Sequence, residues 1–99
     1  MSTSKEFKDY ILENLTLLDS ITYKPMMGEY LLYYKNQLFG GLYDDRFLIK
    51  KTVGNQKYHL KEEIPYENAK TMYFVEEVEN RTLLKEIILT TVEDLFGKK

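Results

Sequence analysis

The chain has no cysteine and no tryptophan, a single histidine and two prolines. Without thiols it can form no disulfide, no thiolate metal site and no cysteine nucleophile. A small cysteine-free domain fits a reducing compartment. The first residues, Met1-Ser2-Thr3-Ser4-Lys5-Glu6, lack the apolar core of a signal peptide. Nothing later approaches the ~18 consecutive apolar residues of a membrane-spanning helix. These absences predict a cytoplasmic protein with no membrane partner. An excess of one charge is also missing, with 14 Lys and Arg against 16 Asp and Glu. Nucleic-acid affinity draws chiefly on surplus cationic charge, so a general nucleic-acid binder is disfavoured, while a local basic patch stays open.

Residues that could carry catalysis are equally sparse. His59 has only Ser2, Ser4 and Ser20 as prospective partners, and none of these lies in a nucleophile elbow. No second His or Cys can join it around a metal. The acidic pairs Asp44-Asp45, Glu62-Glu63 and Glu76-Glu77 are adjacent in sequence. Neighbours on a strand or helix point apart, so such pairs make poor carboxylate dyads. Asp44-Asp45 reads as turn chemistry, and calcium-loop spacing is missing. Gly40-Gly41 lies in no phosphate-loop pattern. It reads as room for a bulge or a close approach, with backbone packing against a helix the favoured version. The expectation is a protein that is not an enzyme, with no catalytic residue, no metal and no cofactor.

What the chain does have is a dense aromatic stretch from Ile21 to Lys50. Breaks at Gly28-Glu29, Lys35-Asn36-Gln37 and Asp44-Asp45-Arg46 supply residues that tolerate left-handed turns. Between them, Ile21–Met27, Tyr30–Lys35, Leu38–Tyr43 and Phe47–Lys50 read as the strands of an antiparallel meander. Pro25 donates no ladder hydrogen bond and belongs on an edge strand or at a bulge. Thr71–Val75 reads as a further strand, and 53–63 as a region holding a short helix or turn, broken at Pro65.

Helices are predicted at both ends. Thr3 to Glu6 has capping-box spacing, and Phe7, Tyr10, Ile11, Leu15 and Leu18 recur at helical period, giving a helix from Ser4 to about Leu17. Asn80 or Thr82 can cap a final helix whose apolar face is Leu84, Ile87, Ile88, Thr91, Val92, Leu95 and Phe96. Gly97 would end it, with Lys98 and Lys99 where the helix dipole favours cations. The fold class is therefore α+β: one domain over 1–99, an antiparallel meander flanked by N- and C-terminal helices.

Alternation splits the third strand into Leu38, Gly40, Leu42 and Phe39, Gly41, Tyr43, and the second into Tyr30, Leu32, Tyr34 and Leu31, Tyr33, Lys35. Neither face is polar, whereas a sheet with one wet face alternates apolar with polar. Nine tyrosines accentuate this. Tyrosine pairs apolar area with a polar tip and suits a half-buried core, a protein interface or base stacking. Candidate partner contacts are Tyr23, Lys24, Met26, Met27, Tyr30, Tyr33, Phe39 and Tyr43. The partner would be another protein or a second copy of the chain. Nucleic acid, met through Lys24, Lys35, Lys50 and Lys51 beside the tyrosines, is the alternative.

The series Lys24-Pro25-Met26-Met27-Gly28-Glu29-Tyr30-Leu31-Leu32-Tyr33, then Leu38-Phe39-Gly40-Gly41-Leu42, Asp44-Asp45 and Phe47-Leu48-Ile49-Lys50, resembles the N-terminal domain of the TfoX (Sxy) family. Those proteins are associated with regulation of bacterial competence. Pro65-Tyr66 and Thr71-Met72-Tyr73-Phe74-Val75 resemble the family's later segments, so the resemblance spans about 4–96. Lys24 stands where the family has Arg, Met27 where it has Phe, and Glu29 and Leu31 where it has Gly. The resemblance implies an α+β fold similar to type III secretion chaperones and a regulatory role in a bacterial cytoplasm. It brings no enzymatic reaction or cofactor.

Overall fold

A computed structural model describes residues 2–97. Helix α1 (Lys5–Asn14) precedes strands β1 (Ile21–Met26), β2 (Glu29–Tyr34), β3 (Gln37–Leu42) and β4 (Phe47–Ile49). A 3-10 helix (Gly54–Tyr58), β5 (Lys61–Glu63), β6 (Met72–Phe74) and helix α2 (Arg81–Gly97) follow. The strands form one six-stranded sheet in the order β1-β2-β3-β4-β6-β5, every pairing antiparallel. This is the α+β architecture expected from the sequence. The last two residues, Lys98 and Lys99, lie outside the described residues, and with them the expected cations at the helix end.

Three tight turns build the meander. Met27-Gly28, Lys35-Asn36 and Asp44-Asp45 all have positive φ at both central positions. That is the requirement of a type I′ turn, whose twist matches that of the flanking strands. At the third, Tyr43 and Arg46 exchange backbone hydrogen bonds of 2.9 and 3.0 Å. Asp44-Asp45 is thus a turn, as its composition predicts. The first turn falls one residue earlier than expected and places Met27, not only Gly28, in the left-handed region.

The sheet's register sorts its residues by face. Leu32 pairs with Gly40, Gly40 with Ile49, and Ile49 with Tyr73, while Leu42 pairs with Phe47. Leu32, Leu42, Phe47 and Ile49 are fully buried and form one cluster with Ile11 and Leu15 of the α1 region and Leu84, Ile88 and Val92 of α2. Both helices therefore cover the same face. On the other face run Lys24, Leu31, Gly41, Leu48 and Phe74, paired in succession.

Strict alternation fails in β3. The register slips between Leu32 and Tyr33, which pair with Gly40 and Leu38 and leave Phe39 as an extra residue. This bulge lets Phe39 enter the same buried cluster as Leu42, where simple alternation separated them. The glycine pair does mark a bulge and a close approach, and the nearest atoms to Gly40 belong to strand backbone. A Cβ on Gly40 would strike the Leu48 carbonyl oxygen and lie 2.9 Å from the Ile49 Cα.

Local hydrogen bonds explain where the helices begin. Ser4, not Thr3, caps α1, its Oγ accepting from the Phe7 N–H at 3.1 Å. Thr3 instead donates to Glu29 Oε1 at 2.7 Å and accepts from the Asp45 N–H at 3.2 Å, tying the N-terminus to two hairpins. Helix α1 ends at Asn14, earlier than its periodicity suggests. There the Asn14 amide donates to the Tyr10 carbonyl and its Oδ1 accepts from Arg81 Nε, both at 3.0 Å. Such local side-chain bonds compete with helix continuation. Asn80 is the cap of α2, accepting from the Leu83 N–H at 3.1 Å.

The segment between β4 and β5 is held by a buried amide. Asn55, with no exposed surface, accepts from the Thr52 N–H and donates to the Lys50 carbonyl and to Thr91 Oγ1. Asp94 accepts from the Gly54 N–H at 2.7 Å. These bonds fix the 3-10 helix to α2. Strand β5, Lys-Glu-Glu at the sheet edge, is the element that the sequence did not reveal. Short charged edge strands discourage unwanted pairing, and they carry no hydrophobic alternation to read. Pro25 sits on the opposite edge strand, β1, as expected.

Candidate functional site

The surface of interest is the sheet face that neither helix covers. Lys24, Leu31, Tyr33 and Leu38 lie on it by register, and the last three are half-buried. Leu48 and Tyr43 are buried without joining the main cluster. Local cover explains this. The Tyr43 ring folds back over Gly41, where a Cβ would come within 2.8 Å of its Cε2. Tyr66, from the loop between β5 and β6, packs against Tyr43 with ring centroids 6.2 Å apart. Arg46 holds that loop in place, pairing with Glu63 at 2.7 Å and donating to the carbonyls of Ile64 and Pro65.

The eight candidate contact residues do not form one patch. Lys24, Met26, Tyr33 and Tyr43 share the uncovered face. Lys24 Nζ stands 6.0 Å from the centre of the Tyr33 ring. Met26 is 43% exposed, and Met27, at the tip of the first hairpin, is 94% exposed. Tyr23 and Tyr30 belong to the helix side, where their rings meet edge to face at 5.7 Å and Lys8 Nζ lies 4.7 Å from the Tyr23 ring centre. Tyr23 nonetheless reaches the rim, 42% exposed. Phe39 is a correction: the bulge sends it into the core with no exposed surface, so it offers nothing to a partner. Tyr43, 8% exposed, supports the face more than it displays itself.

Leu31, Leu38 and Tyr66 belong to this surface too, although none is among the eight candidates. Leu31 and Leu38 needed only the register, since they pair with Gly41 and Tyr33 on the face of Lys24. Tyr66, 63% exposed, sits in an irregular segment whose fold-back over the sheet had no local signal.

Electrostatics on this face are modest. Burial pushes the Tyr43 phenol above its usual range, reinforced by Tyr66, Glu29 and Tyr33. The Arg46 hydrogen bond holds Glu63 below the ordinary carboxylate range. His59 is exposed and adopts a left-handed conformation at the end of the 3-10 helix. Among the described residues no three His, Cys, Asp or Glu side chains are grouped to hold a metal ion. No described helix is long and apolar enough to cross a membrane.

Fold and surface together define a class: an α+β protein whose antiparallel sheet is covered by helices on one side and presents aliphatic and tyrosine side chains on the other. In comparison with known proteins, the chain matches no family model and no curated protein.

Proposed function

We propose that the protein is a non-enzymatic regulatory or interaction module, of the type its resemblance to the TfoX N-terminal domain implies, and that it meets a protein partner or a second copy of itself through the uncovered sheet face. One observation carries this reading: both helices pack on the same side, leaving Leu31, Tyr33 and Leu38 half-exposed on the other. Tyrosine is favoured at interfaces because it gives large contact area at low entropic cost, with a hydroxyl to satisfy at the rim. The hairpin tip supports the reading. Met27 has φ 53° and is 94% exposed. Asn or Gly would serve that position better, and a bulky side chain held there at a cost suggests use.

Sedimentation equilibrium at micromolar concentration tests self-association. A dimer that dissociates in a Tyr33→Asp variant supports the second-copy form. A monomer whose Tyr33 and Met27 are also unreactive toward solvent-borne probes would sink the reading in both forms.

A second reading, binding of single-stranded nucleic acid, draws on lysines beside tyrosines: Lys24 at Tyr33, Lys35 at Tyr34 and Lys51 at Tyr73, at 6.0, 5.4 and 5.8 Å from the ring centres. These cations do not form one track, because Lys35 lies in a turn beside α2 and Lys51 pairs with Glu62 at 3.0 Å. Affinity for an oligonucleotide that falls steeply with salt would favour it. No binding at low ionic strength ends it.

A further inference from the structure

Next to the uncovered face, where the β5–β6 loop folds over β4 and β6, lies a groove of about 870 Å³. Its apolar lining comes from Tyr43, Pro65, Tyr66 and Met72. Lys50 and Lys70 also line it, and neither makes an ion pair among the described residues. Lys51 lines it as well, but is already held by Glu62 Oε1 at 3.0 Å and Thr71 Oγ1 at 2.8 Å. The described lining contains no Asp or Glu, although the chain has 16 of them against 14 Lys and Arg. Two ammonium groups without an ion pair among the described residues thus meet an aromatic wall here, and the acidic side chain bonded to a lysine of the lining is Glu62, on Lys51. The volume lies within the range typical of small-molecule sites, ~300–1,000 Å³.

We infer that this groove binds a small organic anion, a flat aromatic body carrying a phosphate or carboxylate. The ring rests against Tyr66, which is 63% exposed and backed by Tyr43 at 6.2 Å, so a stacking surface is already in place. Lys50 and Lys70 receive the anionic group as point charges that need no fixed fork geometry. Thr71 and the hydroxyl of Tyr66 are hydrogen-bonding groups at the boundary. This inference does not depend on the protein interface proposed above, and a strict monomer can carry it.

The test is a titration of the isotopically labelled chain, followed by amide and methyl NMR, with AMP, adenosine, benzoate and inorganic phosphate as separate probes. Saturable shifts confined to Tyr43, Lys50 and residues 65–72 are expected with AMP if the anion is a phosphate and with benzoate if it is a carboxylate. Adenosine and inorganic phosphate alone should bind at least ~10-fold more weakly than AMP, as loss of a charge-assisted contact or of stacking implies. The double variant Lys50→Gln/Lys70→Gln and the single variant Tyr66→Ala should each weaken binding by about the same factor. All three side chains reach solvent, and an unchanged spectrum away from the groove shows that the variants are folded. No saturable shift with AMP or benzoate overturns the inference. So does inorganic phosphate binding as well as AMP, or unaltered binding in the lysine variant. A dT oligonucleotide that shifts Lys24 and Tyr33 along with the groove, while the small probes do nothing, would assign the lysines to nucleic acid instead.

Discussion

The two faces of the sheet are built from similar side chains and meet different fates. Leu32 and Leu31 are neighbours on β2; the first has no exposed surface and sits under the helices, the second is half-buried on the far side. Phe39 and Tyr33 differ as much, one in the core and one at the surface. Residue type alone therefore does not decide burial in this sheet. Cover does, and it comes from two helices on one face and a single loop on part of the other. Apolar area that stays in contact with water is free energy not yet realised, about 25 cal/mol per Å² removed from water. That is the physical basis of the proposal that the second face meets a partner.

Core truncation breaks this comparison most directly. Phe47→Ala and Leu42→Ala, on the covered face, should each lose about 3–5 kcal/mol in urea unfolding, from lost transfer energy and an unfilled cavity. Leu31→Ala should lose about 1 kcal/mol, since half of its surface is already wet. Equal losses would mean that the second face is as well covered as the first.

Glycine substitutions rank next. Gly40→Ala sets a methyl group against the Leu48 carbonyl and the Ile49 Cα, both backbone, and neither can turn aside. A loss of about 2–3 kcal/mol is expected, in the range of an overpacked core. Gly41→Ala meets the Tyr30 carbonyl at 2.7 Å as well as the Tyr43 ring. Its ring can swing outward, so the variant should also expose Tyr43, read as a gain in tyrosine reactivity. Asn55→Ala probes the helix side away from the sheet. It strands the Thr52 N–H and the Lys50 carbonyl, and about 2–3 kcal/mol should be lost.

These variants also mark what was legible in the sequence. The meander, its three turns, both helices and the edge position of Pro25 could be read because each has a local cause: periodicity, turn residues or a missing donor. The excess of apolar side chains over available helix cover was legible too, from alternation in β2 and β3. What could not be read has non-local causes. The bulge that turns Phe39 inward depends on how β2 and β3 register. Thr3 leaves its capping role because Glu29 and Asp45 arrive from distant turns. Strand β5 has almost no strand signature, existing because β6 is there to pair with it. Tyr66 packs on Tyr43 from a loop that Arg46 anchors by bonds to Glu63, Ile64 and Pro65, none of them a sequence neighbour of Arg46.

That anchor gives the smallest effect and a sharp one. Glu63 in the folded chain titrates below its ordinary value of 4.5 because Arg46 hydrogen-bonds its charged form. A carboxyl whose folded value is depressed contributes stability that is present above its unfolded value. The contribution is lost as pH falls from there through the folded value. The wild-type chain should therefore lose stability in that acid window, and Arg46→Met should lose less there, having forfeited the contact at every pH. Both partners keep about a quarter of their surface in solvent, and added salt should shrink the difference. The same variant should loosen the loop that carries Tyr66, seen as faster amide exchange at 64–70 with the helix-covered face unchanged. If exchange quickens on both faces alike, the loop is part of the main core, and the two sides of the sheet are one cooperative unit instead of a finished side and an unfinished one.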